Sequence, residues 1–280
     1  MDTLKLDSRK RRRVENCPCG RSNKDGKFVP YIGFENCGFC HSCGETYLPK
    51  LDKDNRKQVV FEPIKPKPID YYPRVEFEQY RRLKLTHCSF VQSLYKCFRI
   101  DIRMVKKIIA NYRLTVDIKD RSKVIFWQID VNGNIRYGKA MAYNATTGKR
   151  IKTINPYYLS IKGLNLKRCF FGEHLISKST KPIGIVESEK TAVLMSVIVP
   201  ELIWIATGGK HFKWSNLEVY KALFGRSVIL FPDLGEAYLQ WLEAKKTLQR
   251  QNIDVKISKY LETISNDLQK EQGLDLADFL

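Results

Sequence analysis

The sequence predicts a multidomain chain mixing α/β and α+β classes, and three observations carry that reading. Two close cysteine pairs stand near the N-terminus, helical and then β-type periodicity fills the middle, and short apolar runs alternate with helical patterns over the last hundred residues. With 280 residues the chain is long enough to bury a real core without disulfide support. The patterns divide it into residues 1–50, 51–75, 76–180 and 181–280.

The first part holds five of the eight cysteines, as Cys17-Pro18-Cys19-Gly20, then Cys37, then Cys40-His41-Ser42-Cys43-Gly44. Two pairs about twenty residues apart have the spacing of a zinc ribbon, in which each pair sits on a turn and four thiolates complete a tetrahedron. Gly20 and Gly44 follow the pairs, where positive φ is wanted. A unit this small buries too little apolar surface to fold reliably alone, so bound metal supplies much of its folding free energy. Cys17, Cys19, Cys40 and Cys43 are the expected Zn²⁺ ligands; because the first pair is Cys-x-Cys, Cys37 or His41 could replace one of them. Disulfides fit a cytoplasmic protein poorly, and no βαβ pattern surrounds Cys40-His41-Ser42-Cys43 as a redox pair would want. Cys88, Cys97 and Cys169 have apolar neighbours and read as core residues.

Residues 51–75 form a charged segment that, with its flanks, carries Pro49, Pro63, Pro66, Pro68 and Pro73, an extended linker because proline fixes φ and removes donors. Helices follow: Phe77, Tyr80 and Leu83 recur at helical spacing, Ser89 offers a cap for a second helix through Phe98, and Asp101 caps a third whose Ile102, Val105, Ile108, Ile109 and Tyr112 share a face. The period then changes to β: Val124 to Asp130, a turn at Asn132-Gly133, a strand from Ile135 to Tyr143, a turn at Thr147-Gly148 and a strand from Arg150 to Ile154. Lys139, Lys149 and Arg150 lie on this meander and are expected to grip a phosphodiester backbone, with Trp127, Tyr137 and Tyr143 available for packing or stacking.

Net charge is +19, and it is one-sided. Residues 1–180 carry 37 Lys/Arg against 17 Asp/Glu, a net of +20, whereas residues 181–280 are almost neutral. Such an excess concentrates polyanions and repels itself without a partner, so nucleic acid, single-stranded DNA in particular, is the expected partner. No apolar run approaches a membrane span, no basic amphipathic helix offers an apolar face to a bilayer, and the basic N-terminus is followed by no apolar stretch. A cytoplasmic location, with no membrane partner, is expected.

In the last part, Ile183–Val186, Leu202–Ala206, Val228–Phe231 and Val255–Ile257 read as buried parallel strands, with helices from about Lys190, near Glu218 and from about Ala237. Glu187 follows the first strand and Asp233 the third. Carboxylates at the carboxyl ends of parallel strands can converge on hydrated Mg²⁺ or can simply cap the next helix.

Together, Glu187, Asp233 and the Thr207-Gly208-Gly209 turn resemble the Toprim domain over about residues 181–280. A zinc ribbon, a linking domain and Toprim in that order resemble bacterial and phage DNA primases, and more closely small Toprim-like proteins of mobile elements. The resemblance implies that Glu187 is the catalytic acid/base and metal-organising residue. It implies that Asp233 is the first aspartate of an Asp-x-Asp element, with Mg²⁺ or Mn²⁺ and nucleoside triphosphates as partners. Asp275 to Phe279 is similar to the acidic stretch that ends many primase cores. Gly235 stands where the family's second aspartate should be, which removes one ligand from a two-metal site. The preferred expectation is primase-like nucleotidyl transfer on single-stranded DNA. A non-catalytic DNA-binding accessory factor and a Toprim nuclease are the alternatives. No Walker A sequence is present, so no helicase motor is expected in the chain.

Overall fold

The computed structural model describes residues 4–9, 14–49, 68–209, 212–214 and 220–280. It divides into two compact units, Met1–Pro66 and Lys67–Leu280. The mixed α/β character expected from the sequence is present, as two antiparallel sheets and one parallel sheet. Among the described residues no helix is long and apolar enough to cross a membrane. The greater part of the Pro-rich segment, and the helix expected near Glu218, lie outside the described residues.

The first unit is an antiparallel sheet of β1 (Phe28–Tyr31), β2 (Phe34–Cys40) and β3 (Thr46–Tyr47). Its buried core is small, with Phe28, Cys17 and Cys40 packed by Val14, Cys43 and Tyr47. Asn23 supports it from within: its amide donates to Val14 O and Phe28 O, and its carbonyl accepts from Phe28 N.

The second unit begins by laying its chain against a sheet. Tyr72 N donates to Ile135 O, and Asp70 pairs with Leu166. Helices α1 (Arg74–Arg81), α2 (Ser89–Lys96) and α3 (Ile102–Tyr112) follow. The Asp101 carboxylate caps α3 by accepting from Arg103 N and Met104 N, as its position predicts. At α2 the N-cap is Cys88, and Ser89 is already helical.

The meander is β4 (Thr115–Val116), β5 (Val124–Ile129), β6 (Ile135–Met141) and β7 (Tyr157–Leu159). The strand expected over Arg150 to Ile154 is corrected by this topology. There the chain makes one isolated bridge, Tyr143 to Arg150, because the Asn144 carboxamide accepts from Thr146 N and Thr147 N and closes a side-chain turn. Pairing with β6 resumes only at Tyr157. One face of the meander buries Ile125, Trp127, Ile129 and Leu159 under Phe77 and Tyr72 of the first segment. The other face presents Phe126, Gln128, Tyr137, Lys139 and Tyr158.

The parallel sheet has the order β11-β10-β8-β9, built from β8 (Ile183–Val186), β9 (Ile203–Ala206), β10 (Ser227–Leu230) and β11 (Asp254–Ile257). Helix α4 (Glu189–Ile198) connects β8 to β9; α5 (Glu236–Arg250) connects β10 to β11; α6 (Tyr260–Ile264) and α7 (Asp267–Gln272) follow. The meander and the parallel sheet share one core. Phe126, Tyr143 and Tyr112 pack in the same cluster as Phe171, Val186, Trp204 and Leu276, and the Tyr112 hydroxyl donates to Trp204 O at 2.9 Å.

Candidate functional site

In the first unit two turns face each other with matching backbone patterns. Gly20 N donates to Cys17 O and Cys17 N to Arg21 O; Gly44 N donates to Cys40 O and Cys40 N to Glu45 O. The turns bring Cys17, Cys19, Cys40 and Cys43 together, with all four sulfurs within 4.8 Å of one another. Four thiolates around one ion at about 2.3 Å would stand about 3.8 Å apart, so the cluster could hold a metal ion. Cys37 lies outside the group, and His41 packs edge-on against Phe39. Burial pushes the Cys17 thiol up to about 12, whereas the Glu45 backbone N–H and further donors draw Cys43 down to about 7. Cation binding here is therefore expected to release protons. Given the size of the core, Cys40→Ser is expected to abolish stoichiometric metal and to expose residues 14–49 to protease. Elemental analysis and limited proteolysis check both, with about one metal ion per chain expected in the parent protein.

In the second unit the acidic residues gather where β8 and β10 lie side by side. The chain leaves β8 toward β9 on one side and returns to β10 on the other, the switch point at which open α/β sheets leave a crevice. Glu187 stands just past β8 and Asp233 just past β10, and both line a cleft of about 660 Å³ with Glu236, Gln240 and Lys270. Neither acts as a helix cap: the N-cap of α4 is Ser188 and that of α5 is Gly235. Asp233 is half-buried. Burial first, and then the charges of Asp275, Glu187 and Asp278, hold its carboxyl well above the usual range, with Lys190 opposing.

Asp275 reaches this group from the C-terminal 3₁₀ turn (Leu276–Phe279), which it caps by accepting from Ala277 N and Asp278 N. Its other oxygen accepts the Thr191 hydroxyl at 2.6 Å. Burial raises its carboxyl too, against the pull of Lys190 and Thr191.

Gly235 connects these features. Its backbone, at φ 76 and ψ −134, is one that side chains other than hydrogen rarely allow, and a Cβ there would lie 2.7 Å from Lys270 O. Leu234 N donates to Leu274 O in the same contact. The missing side chain lets the loop after β10 press against residues 270–274, and that approach leads the chain to Asp275. The position that lacks a carboxylate thus admits another one from a distant segment. In the sequence only the acidic character of Asp275 to Phe279 hinted at this.

The basic residues of the meander separate in role. The Lys139 ammonium donates to both oxygens of the buried Glu189 at 3.0 Å and to Gly208 O at 2.9 Å, so it ties the meander to α4 and to the Thr207-Gly208-Gly209 turn. Gly208 sits at φ 79, and a Cβ there would meet the Glu189 carboxylate at 3.0 Å and the Gln128 amide at 3.3 Å. Arg150 and Lys149 are exposed. Arg150 lines a second recess of about 220 Å³ together with Lys139, Glu187, Lys190, Gly209 and Asp275. Trp127 and Tyr143 are buried, while Tyr137 is only partly covered.

Among solved structures the chain is similar to DNA primase domains. The primase fragment of the bacteriophage T7 primase-helicase protein is 16% identical, over 93% of this chain and 98% of that one, with a TM-score of 0.41. A DNA primase domain from Pseudomonas aeruginosa is 15% identical, over 63% and 61%, with a TM-score of 0.37. The DnaG primase catalytic domain bound to single-stranded DNA is 13% identical, over 73% and 75%, with a TM-score of 0.36. No curated protein matches the sequence. The profile of the family described as domain of unknown function (DUF6371) matches residues 88–234, from the N-cap of α2 through Leu234, and the chain belongs to that family.

Proposed function

We propose that the second unit is a primase-like, metal-dependent nucleotidyltransferase acting on single-stranded DNA, and that the four-cysteine unit holds zinc. The observation that carries this reading is the gathering of Glu187, Asp233 and Asp275 at the switch point of the parallel sheet, beside Arg150, Lys139 and Lys190. A cleft in which burial, and then the charges of Asp275 and Glu187, raise the carboxyl of Asp233 fits a hard divalent cation, Mg²⁺ or Mn²⁺, which completes its shell with water and phosphate oxygens. When bound, such an ion neutralises charge on a transferring phosphoryl group. Glu187 and Asp233 would hold it, with Asp275 close by. Glu187 is also the group we assign to accept the proton of an attacking hydroxyl. Arg150, exposed at the recess, would meet the phosphates of a nucleoside triphosphate or a strand, and Lys149 the backbone outside it.

The net +20 of residues 1–180 would supply long-range attraction, and this part of the reading has its own check. With about four phosphate contacts, affinity for a single strand is expected to fall roughly 50-fold between 50 and 200 mM salt. A flat salt response in a fluorescence titration would remove the electrostatic basis.

The direct test is incorporation of labelled ribonucleotides on single-stranded DNA with Mg²⁺ or Mn²⁺. Template-dependent product is expected. Gly235, which leaves Asp233 without a carboxylate two residues on, favours a second reading, a DNA-binding accessory factor. Tight DNA binding without incorporation under either metal would establish that reading instead.

A further inference from the structure

Tyr137 of β6, Tyr158 of β7 and Arg168 form a cluster that the acidic site does not use. The two rings lie 5.3 Å apart between centroids and are tilted by 49°. The Arg168 guanidinium covers both, 4.5 Å from the Tyr158 centroid and 5.2 Å from that of Tyr137. Unlike Phe126, Trp127 and Tyr143, which are closed inside the core, Tyr158 is 38% exposed and Arg168 is exposed. Among the described residues no carboxylate pairs with Arg168, whose side chain is exposed and covers the Tyr158 ring.

The cluster has a defined place relative to the cleft. Tyr158 is directly opposite Lys139 in the β6–β7 ladder, and Tyr137 is two residues from Lys139 on the same face. Lys139 in turn contacts Gly208 O and lines the recess that contains Glu187, Arg150 and Gly209. A strand whose phosphates meet Arg150 would therefore carry a neighbouring base over the outer edge of the meander. Two tyrosines capped by a planar cation suit that base. Every nucleobase offers a π face to a guanidinium or a phenol ring, and Arg168 answers the phosphate charge as well.

We propose that Tyr137, Tyr158 and Arg168 form a stacking platform for one base of a single-stranded polynucleotide, seated beside the acidic cleft. The proposal rests on the nucleic-acid reading above and assigns the subsite at which an unpaired base, and not only the backbone, is held. A stacked base discriminates single strands from duplex, whose bases are already stacked on one another.

The test compares binding of the full chain to a short oligothymidylate and to an abasic oligomer of the same length and charge. The wild type is expected to prefer the oligothymidylate by about 5- to 150-fold, the range for one stacked base. Tyr158→Ala and Arg168→Lys are expected to bring that ratio toward one while leaving abasic binding and its salt dependence in place. Tyr158→Phe, which keeps the ring, is expected to retain it. A wild-type ratio near one, or a loss in Tyr158→Ala that is equal for both oligomers, overturns the platform while the nucleic-acid reading stands. Binding of neither oligomer overturns both. If free thymidine triphosphate abolishes the preference where inorganic triphosphate does not, the platform holds an incoming nucleotide, and its assignment to a strand is overturned.

Discussion

Glu187→Gln and Asp233→Asn are each expected to reduce nucleotide incorporation by at least about a hundredfold while changing single-stranded DNA affinity by less than about twofold. Both substitutions keep size and hydrogen-bonding capacity and remove one negative charge, so they act on cation binding and proton transfer and leave the basic surface alone. Stability should move in the opposite direction to activity. Asp233 has its carboxyl raised by burial and by Asp275, Glu187 and Asp278, so above its unfolded-state value the ionised form costs the fold free energy. Stability in the absence of divalent cation is expected to rise as pH falls through the raised value toward the unfolded-state one, and Asp233→Asn should be at least as stable as wild type at neutral pH. Added Mg²⁺ or Mn²⁺ should raise the Tm of the wild type and not of Asp233→Asn. Calorimetry with and without cation, beside the incorporation assay, separates chemistry from folding. Wild-type incorporation in both variants would exclude this site from the reaction.

Gly235→Asp is expected to destabilise the second unit by about 2–5 kcal/mol, the sum of a strained backbone and a crowded contact. In a unit of this size that lowers Tm by roughly 5–15 °C. The new Cβ meets Lys270 O at 2.7 Å, and no rotamer choice relieves a clash at Cβ. Restoring the second aspartate of an Asp-x-Asp element by sequence analogy is thus expected to push residues 270–274 away and to carry Asp275 off Asp233, so cation affinity should fall. Gly235→Ala, which adds only the Cβ, is expected to lose about as much stability. A Gly235→Asp protein as stable as wild type, with higher activity or cation affinity, would show that the loop re-forms around the new carboxylate.

Several elements needed only local information. The four-cysteine cluster, the cap at Asp101, the apolar runs of β8 to β11 and the placing of Glu187 and Asp233 at strand ends follow from spacing and periodicity, which short-range geometry sets. The error over Arg150 to Ile154 had a local cause as well, a side-chain turn at Asn144 that outweighed the alternating pattern.

Three features depended on residues far apart in the chain. Lys139, basic and on a strand, reads from sequence as a phosphate contact, but Glu189 fifty residues away buries its charge. Gly235 reads as a lost ligand until Lys270 and Leu274 reveal why no side chain fits there. Tyr137 looks no different from Trp127 or Tyr143 along the chain, and only the packing of both faces of the meander leaves it half-buried beside Tyr158 and Arg168. Most of the elements, the cysteine cluster and two acids at strand ends were legible in the sequence, because backbone propensity and side-chain period act over a few residues. Which charges are neutralised, which glycine admits a distant carboxylate and which aromatics meet solvent came from the three-dimensional packing, because burial and Coulomb interaction depend on distance in space.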